Sequence, residues 1–593
     1  MFCRRMKKEK DGILAESQLS RERYGLRLPD YILAPVAALP AVLWAYQHIG
    51  TSIGWDDLFY MDLSQYTTKE AWVLNRYGHI YLQKIFFWLM NDSFSGAKAY
   101  WCFLYFSAVV LIYWCAKMLA GKGGTVIGLL AALFFCSQPI FYEWAGSTDA
   151  DLTVMFLTTL GTFVYLAFLV NRFGKYRYLI IMALGLIFFW VMKSKESGLC
   201  MGVLLLGLGE DRNGAYSVRR FIRDIGWVCA GMATGCVLLM FLDMVFLKDF
   251  WFSVRPSSIK GLFAYNTGTW KHDNGTSWYT ILLFGSNPML AAFLLYLLVG
   301  WKPIDRDRLS KHERLVWLLP LTFIFFLIAV AIPIRTYAVP STHRYLAPAI
   351  AGICIWAAQF FRFRTIMSGS EEAGPKTPNL FPKALINFVA VLIAFFIVLF
   401  LMPRLPKWTE GAGWKSADRL YETAILPLAT TGILIYSAVL RKRGPTALFV
   451  FSLCLFFIVY FPLDVGTGSL EERVVAQRSE WRYAPYHVFA GELQVDKNVK
   501  ILISKSIYAN TKMLGRDLES QCWMFNVFFN QELYYGNFIN GTAEDILKGN
   551  YNYAFLTFDD WKSIGEKPET LRLKQNYIAR SDMSTQVVFL KRR

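Results

Sequence analysis

Two adjacent carboxylates, Asp56 and Asp57, follow the first long apolar segment of the sequence. Two negative charges side by side repel, so we expect at least one of the two carboxyl groups to have a raised pKa. A carboxylate whose pKa is raised toward neutrality can accept a proton from a substrate hydroxyl. The pair therefore indicates general-base chemistry at a membrane surface. The alternative, from the pair alone, is an ordinary hydrated loop.

Other charged residues lie at the ends of apolar runs, although a charge at the centre of a membrane helix costs about 2.5 to 3.5 kcal/mol. Asp149 follows Ser147 and Thr148 at a predicted helix start, so helix capping also explains it. Lys195 and Glu196 separate two short apolar runs, where a local ion pair is the alternative to a function. If the apolar runs cross a membrane in alternating directions, these charged residues fall at or near the outer ends of the runs. They are Asp56, Asp57, Glu143, Asp149, Asp151, Lys193, Lys195, Glu196, Asp243, Arg335, His343 and Arg344.

The composition predicts a multi-pass membrane protein. Of the 593 residues, 55% are hydrophobic and 17% are aromatic, which is more apolar surface than a soluble protein of this size buries. The net charge of +18 comes from short Lys and Arg clusters between apolar runs. That pattern orients helices in a lipid bilayer and argues against nucleic acid as a partner. None of the ten cysteines forms a CxxC pair, so neither a disulfide framework nor a zinc site is predicted.

Apolar runs of about 20 residues can cross a membrane, and the sequence predicts thirteen such spans within a membrane domain at residues 31–464. Basic clusters recur on one side, which puts residues 1–30 in the cytoplasm and the tail, residues 465–593, outside. The first span has no small-residue cleavage site and is expected to be retained. The predicted spans are 31–50, 98–119, 124–142, 149–170, 178–192, 197–209, 225–247, 279–300, 315–333, 344–361, 384–402, 424–440 and 446–464.

The segments outside the predicted spans include two with secondary structure of their own. In the outer connection 51–97, residues 69–90 place apolar side chains at helical spacing, which indicates helices lying along the membrane surface. The tail has the pattern of a small soluble α/β domain without catalytic motifs. Its predicted elements are strands at 499–503, 551–558 and 586–590, a helix at 509–529 and a helix start at 542–549.

Four motifs occur in a fixed order along the membrane region. They are the Asp-Asp pair, Ser-Thr-Asp at 147–149, Lys-Glu-Ser-Gly at 195–198 and Arg-Tyr-Leu-Ala-Pro at 344–348. In this order the chain resembles the GT-C superfamily of glycosyltransferases, in particular bacterial relatives of protein O-mannosyltransferases and lipid A aminoarabinose transferases. The resemblance extends to about residue 464. It implies a mostly α-helical, polytopic membrane bundle of about thirteen spans, with the N-terminus inside and an extracytoplasmic C-terminal α/β domain.

The resemblance also implies an activity: inverting transfer of a hexosyl or pentosyl sugar from a polyprenyl-phosphate carrier to a glycan, lipid or protein. The reaction is expected at the outer leaflet of a bacterial inner membrane. It needs a carboxylate to accept the acceptor's proton and cations to stabilise the leaving phosphate. By position, Asp56 resembles the family's base, Asp57 its companion and Asp149 the second acid. The family's first motif is Asp-Glu, whereas this chain has Asp-Asp, so either Asp56 or Asp57 could be the base. The candidates for phosphate binding are Lys195 and Arg344, followed by Arg255, His343 and Tyr345.

Three alternatives are weighed against this function. The tail lacks a Trp-Trp-Asp motif, which argues against an N-linked oligosaccharyltransferase. An O-antigen ligase or polymerase is the alternative enzyme, and it would leave Asp56 and Asp57 without a role. A transporter is the alternative from another class, but it should show ionisable residues near the membrane midplane and internal repeats. No cluster of ligands predicts a metal cofactor, while a divalent cation bridging the acids and the phosphate stays open.

Overall fold

The chain is mostly α-helical, with a five-stranded sheet near its C-terminus. This description is based on a computed structural model. The structure describes residues 25–48, 60–64, 76–91, 93–121, 124–136, 149–170, 176–209, 216–255, 311–334, 347–369, 499–506, 538–565, 570–582 and 587–593.

The helices before the sheet follow the predicted apolar runs. Nine of the predicted spans overlap described helices, and the spans at 279–300, 384–402, 424–440 and 446–464 lie outside the described residues. The sixth span is a 3₁₀ helix, Glu196–Gly207, rather than an α-helix. The α-helices are α1 (Leu28–His48), α2 (Tyr77–Met90), α3 (Ser93–Ala120), α4 (Thr125–Cys136), α5 (Ala150–Val170), α6 (Arg177–Met192), α7 (Val218–Leu247), α8 (Lys311–Ile334) and α9 (Ala347–Gly369).

Helix α3 lies at the centre of the described bundle. It packs against α1, α2, α4, α5 and α9, and 78% of its most apolar stretch is buried. By contrast, α7 packs mainly on α6, and only 28% of its most apolar stretch is buried. Within the described residues, α3, α5 and α7 are long and apolar enough to cross a membrane. The exposed apolar side of α7 is therefore suited to contact lipid.

Glycines bring α6 and α7 into close contact, and the two helices run parallel. A Cβ atom at Gly185 would collide with the backbone carbonyl of Val228, and one at Gly231 would collide with that of Met182. Only glycine permits this approach, because the facing backbone leaves no room for a methyl group. The start of α6 thus lies beside the first turns of α7, and Gly235 of α7 faces Phe189 near the end of α6.

Charged side chains are buried at both ends of the bundle, which corrects the expectation that they gather at one end. Opposite the predicted outer end, Lys117 pairs with Asp30 at 2.8 Å, and Tyr113 also donates a hydrogen bond to Asp30 at 3.1 Å. At the same end, Arg177 pairs with the fully buried Asp224. These pairs join neighbouring helices, and because each buried charge has a partner, its desolvation is compensated.

The C-terminal sheet has the strand order β2-β1-β3-β5-β4. Strand β1 runs parallel to β2 and β3, while β5 is antiparallel to β3 and β4. The strands predicted near 499–503, 551–558 and 586–590 are confirmed, and the helix predicted at 509–529 lies outside the described residues. The elements are β1 (Ile501–Ser504), β2 (Phe538–Gly541), α10 (Asp545–Lys548), β3 (Tyr553–Thr557), α11 (Phe558–Gly565), α12 (Thr570–Asn576), β4 (Tyr577–Asp582) and β5 (Val587–Arg592).

Both faces of this sheet are buried, as expected where parallel strands are covered on two sides. Leu502, Leu556 and Leu590 share one hydrophobic cluster with helix residues such as Ile564. Alternate residues of the same strands face the other way and join the cluster that contains the helical bundle: Ile501, Ile503, Tyr553, Phe555 and Phe589.

A capping box connects β3 to α11. Thr557 Oγ1 accepts a hydrogen bond from the amide of Asp560 at 3.1 Å, and the Asp560 carboxylate accepts one from the amide of Thr557 at 3.2 Å. Ser506, just after β1, donates to the same carboxylate at 2.9 Å. Burial alone would raise the pKa of Asp560, but hydrogen bonds from Ser504, Thr557 and Ser506 together lower this pKa below its ordinary value.

Candidate active site

The candidate site is built around the break between α6 and the 3₁₀ helix. The α-helical hydrogen bonds end with the amide of Lys195 donating to the carbonyl of Val191 at 3.1 Å, and Lys195 itself adopts an extended backbone with φ −168° and ψ 150°. The break is fixed to α2 because the amide of Gly78 donates to the carbonyl of Lys193 at 2.9 Å. Trp190 Nε1 in turn donates to the carbonyl of Gly78 at 3.0 Å. A Cβ atom at Gly78 would lie 2.9 Å from the Lys193 carbonyl, so the contact requires glycine.

Lys195 reaches across to the start of α5. Its ammonium donates a hydrogen bond to Asp151 Oδ2 at 2.6 Å, and only 2% of the Asp151 side chain is exposed. Asp151 lies in the first turn of α5, where the helix dipole favours a carboxylate. Asp149 Oδ1 accepts a long hydrogen bond of 3.4 Å from the Asp151 amide, in the manner of a helix cap. In the described residues, the carboxylate that forms an ion pair with Lys195 is therefore that of Asp151.

Glu196 forms an ion pair with Arg76, the residue that precedes α2. Arg76 Nη1 donates to Glu196 Oε2 at 2.9 Å, and Arg76 Nε donates to the hydroxyl of Tyr60 at 3.2 Å. Burial would lower the pKa of Arg76, but Glu196 and Tyr60 together raise this pKa above its ordinary value, so the guanidinium stays charged. Lys195 and Glu196 do not pair with each other as the local alternative supposed. Each binds a partner on another helical segment.

A buried polar layer lies next to these ion pairs. His79 Nδ1 lies 2.8 Å from Thr153 Oγ1, and the hydroxyl of Tyr100 lies 2.7 Å from the same oxygen. The ring of Tyr60 contacts His79 edge to face, with the centroids 5.2 Å apart. His79 and Thr153 are fully buried, and Tyr100 is buried as well. Because this layer joins α2, α3 and α5, it fixes the helix starts that carry Arg76 and Asp151.

The short helical segment 60–64 is held against α2 at both of its ends. Tyr60 binds Arg76 at the first end, as described above. At the other end, Ser64 Oγ donates to Gln83 Oε1 at 2.7 Å, and Lys84 Nζ donates to the carbonyl of Ser64 at 2.9 Å. Burial lowers the pKa of Lys84 to about 8. The segment 60–64, which begins three residues after Asp57, is thus fixed beside the Arg76–Glu196 pair.

A second polar group lies on the α7 side of the break. Asp243 is fully buried and accepts hydrogen bonds from the Tyr81 hydroxyl at 2.6 Å and the Ser253 amide at 3.1 Å. Lys193 Nζ donates to the carbonyl of Ser253 at 3.3 Å. These contacts hold the end of α7 against α2 and the break, and they position the chain that leads to Arg255.

Comparison with known proteins gives a likeness of fold. No protein-family model and no curated protein sequence matches the chain. The crystal structure of ArnT from Cupriavidus metallidurans bound to undecaprenyl phosphate matches with a TM-score of 0.54 and 13% identity, over 95% of this chain and 98% of ArnT. This chain has an ArnT-like fold. The apo ArnT structure matches with a TM-score of 0.51 and 14% identity, over 94% and 97% of the two chains.

An oligosaccharyltransferase from Archaeoglobus fulgidus also matches, with a TM-score of 0.41 and 10% identity over 88% of this chain and 69% of the other. The ArnT-like fold agrees with the fold that the order of the motifs predicted. The mostly helical architecture with apolar helices is confirmed with it.

Of the eight site residues predicted from the sequence, the structure of this chain describes three: Asp149, Lys195 and Arg255. Lys195 and Asp149 lie close together, since both contact Asp151. Arg255 is half exposed and pairs with Asp249 at 2.7 Å, which makes it part of an exposed ion pair beyond the end of α7. The predicted residues that lie outside the described part of the chain are Asp56, Asp57, His343, Arg344 and Tyr345. In the residues that are described, no group of three or more His, Cys, Asp or Glu side chains is arranged to hold a metal ion.

The sequence-based candidates did not include Arg76, Tyr60 or His79. Asp151 was noted only as a charge near a span end. Arg76 and His79 flank the start of an apolar helical pattern, where a charged residue and an imidazole are unusual enough to attract attention. The spacing of Asp149 and Asp151 could also have indicated Asp151 as a site residue, because this second acid falls inside the first helical turn.

Proposed function

We propose that this chain is an inverting glycosyltransferase that moves a sugar from a polyprenyl-phosphate carrier to a hydroxyl group of a glycan, lipid or protein. The site of reaction in this proposal is the outer leaflet of a bacterial inner membrane. One observation carries the proposal: two cations, Lys195 and Arg76, are held by neighbouring elements at one end of the bundle, each beside a carboxylate. The undecaprenyl phosphate bound to ArnT, a protein of similar fold, supports the choice of carrier.

The proposed reaction needs one proton acceptor and one stabilised leaving group. A carboxylate, Asp56 or Asp57, accepts the proton of the acceptor hydroxyl as that oxygen forms a bond to the anomeric carbon. The bond from this carbon to the phosphate oxygen breaks, and the polyprenyl phosphate leaves with the electron pair. Attack from the side opposite the phosphate inverts the configuration. Asp149 is proposed to help orient the acceptor or the base.

Cations stabilise the charge that develops on the departing phosphate. Lys195 acts as a point charge, and Arg344 as a planar fork that can bind two oxygens. Arg255, His343 and Tyr345 are secondary candidates for the same role. Because Asp151 already neutralises Lys195, an arriving phosphate would share this ammonium with a buried carboxylate. The ammonium is thus held in position before the substrate binds, which is what preorganised electrostatic catalysis needs.

Chain connectivity supports the position of the base. Asp57 precedes Tyr60 by three residues, and three residues of extended chain span about 10 to 11 Å at most. Tyr60 in turn accepts a hydrogen bond from Arg76 at 3.2 Å. Connectivity therefore keeps the backbone of Asp57 within about 11 Å of that of Tyr60.

The proposal is tested by replacing the acids without changing their shape. Asp56→Asn and Asp57→Asn are assayed in the purified full-length enzyme, with a polyprenyl-phosphate sugar as donor and release of polyprenyl phosphate as readout. Loss of the base should lower the transfer rate by about 10² to 10⁴-fold in one of the two variants, because general-base catalysis contributes that much. Asp559→Asn, at an exposed acid of α11, is the matched control and should transfer at the wild-type rate. Full activity of the double Asn variant at a normal protein level would reject the proposal.

A further inference from the structure

A group of arginines lies at the end of the bundle opposite the candidate active site, where α6 and α7 begin together. Arg177 at the start of α6 is neutralised, since it pairs with the buried Asp224. Asp224 also accepts a hydrogen bond from the amide of Gly209 at 3.3 Å, so this acid is fully engaged within the fold. Arg219 and Arg223 are exposed, and no acidic side chain in the described residues forms an ion pair with either. Four residues apart on α7, they project from the same face of the helix.

Aromatic rings support the second of these arginines. The guanidinium of Arg223 lies over the ring of Tyr178, 5.5 Å from its centroid. Tyr178 is stacked on Trp227, with centroids 5.3 Å apart and an interplanar angle of 30°. This arrangement holds Arg223 by a cation–π contact and leaves its N–H groups available to an external anion. Trp and Tyr also favour the interface between lipid and water.

The arginines are bordered by exposed apolar side chains. Leu179 is 60% exposed, Val218 is 64% exposed and Ile222 is 66% exposed. An apolar border of this kind is unsuited to a soluble anion, because the side chains would remain in water. It suits an amphiphile, whose headgroup meets the cations while its acyl chains cover the apolar residues. The poorly buried face of α7 continues this surface along the helix.

We propose that Arg219, Arg223, Tyr178 and Trp227 form a binding site for the headgroup of an anionic phospholipid. The phosphate accepts hydrogen bonds from the two guanidinium groups, and the acyl chains lie along Ile222 and the exposed side of α7. Charge complementarity selects an anionic lipid over a zwitterionic one, since the two cations lack an acidic partner in the described fold. The site is independent of the proposed transferase reaction, and it lies at the other end of α6 and α7.

The test is lipid binding to the purified full-length protein, measured by native mass spectrometry with phosphatidylglycerol and phosphatidylcholine as probes. The wild-type protein should prefer phosphatidylglycerol, and Arg219→Gln and Arg223→Gln should each lower that preference roughly fivefold. Lys248→Gln is the matched control, because it removes an exposed cation from the opposite end of the same helix. This variant should keep the wild-type preference.

Two further measurements keep the result decisive. The Arg219→Lys/Arg223→Lys variant retains both charges and should keep most of the preference, which separates loss of binding from misfolding. Inorganic phosphate at millimolar concentration should not displace phosphatidylglycerol. The proposal is overturned if the Arg219→Gln/Arg223→Gln variant keeps the preference for phosphatidylglycerol. It is also overturned if the Arg219→Lys/Arg223→Lys variant loses that preference while still folded, or if inorganic phosphate competes.

Discussion

Lys195 in the helix break donates a 2.6 Å hydrogen bond to Asp151 in the first turn of α5, 44 residues earlier in the chain. Both side chains are largely withdrawn from water, with 14% and 2% of their surface exposed. A charge in such a position depends on its partner, because removing one ion leaves the other buried with reduced compensation. The pair therefore links the geometry of the candidate site to the stability of the bundle.

Replacing Lys195 with Met should lower the free energy of unfolding by roughly 3 kcal/mol, because Asp151 then stays buried without its cation. The double variant Lys195→Met/Asp151→Leu should recover most of this loss, since neither charge remains. Denaturant or thermal unfolding of the purified protein measures both values. Lys117→Met, at the Asp30 pair of the opposite end, should be similarly destabilising but should not change KM for the lipid carrier. A double variant no more stable than Lys195→Met would contradict the interpretation.

Arg76 holds Glu196 and Tyr60 with two different nitrogens of one planar group. An ammonium cannot reproduce this fork, so Arg76→Lys should keep the charge but lose one of the contacts. We expect Arg76→Gln to lower kcat/KM for transfer by about 10- to 100-fold, and Arg76→Lys to fall between this variant and the wild type. Steady-state release of polyprenyl phosphate provides the measurement. Lys562→Gln, in exposed α11, should leave kcat/KM unchanged, and equal rates for all three enzymes would show that Arg76 has no role in transfer.

The glycine contact between α6 and α7 can be tested with two Gly→Ala substitutions that should have opposite effects on stability. Gly185→Ala places a methyl group against the carbonyl of Val228 and should destabilise the protein by about 1 to 3 kcal/mol. Gly226→Ala adds the same methyl group where no atom lies within 4 Å. It should be neutral or stabilising by up to about 1 kcal/mol, because alanine favours the helix. Melting temperatures that fall equally in both variants would argue against close helix contact.

Asp560 should make the local stability of the C-terminal sheet depend on pH. Its pKa is lower in the folded state than in the unfolded chain, so its stabilising contribution is present above the ordinary Asp value of about 3.9. The contribution is lost as the pH falls through the lower folded-state pKa. Hydrogen exchange of the amides of β1 and β3, corrected for intrinsic rates, should show this loss of protection. The Asp560→Asn variant should show weaker protection at neutral pH and a flatter pH profile, and an unchanged profile would exclude Asp560 as the cause.

The positions of the helices were predictable because each buried helix needs a long apolar run. The break at residues 193–196 was also predictable, since two lysines and a glutamate interrupt the apolar pattern. The interaction partners of these residues were not predictable from the sequence. Glu196 binds Arg76, 120 residues away, and no local pattern specifies a contact that depends on how three helical segments pack.

Within the sheet, two strands were missed for local reasons. Strand β2, Phe538–Gly541, ends in Asn-Gly, a pair typical of turns, and it is only four residues long. Strand β4, Tyr577–Asp582, contains Arg580 and Asp582 and lies at the edge of the sheet, so it lacks the continuous apolar character that revealed β1 and β3. In both cases pairing with neighbouring strands outweighs the local preference.

The 3₁₀ geometry of Glu196–Gly207 determines how far the break reaches. Twelve residues at a rise of about 2.0 Å extend about 24 Å, the same as the 16 residues of α6 at 1.5 Å each. Rewinding the segment into an α-helix would shorten it by about 6 Å. If Gly207 stayed in place, this shortening would move Glu196 away from Arg76 and break their ion pair, whose atoms lie 2.9 Å apart. The extended 3₁₀ helix thus sets the spacing at which Glu196 meets Arg76.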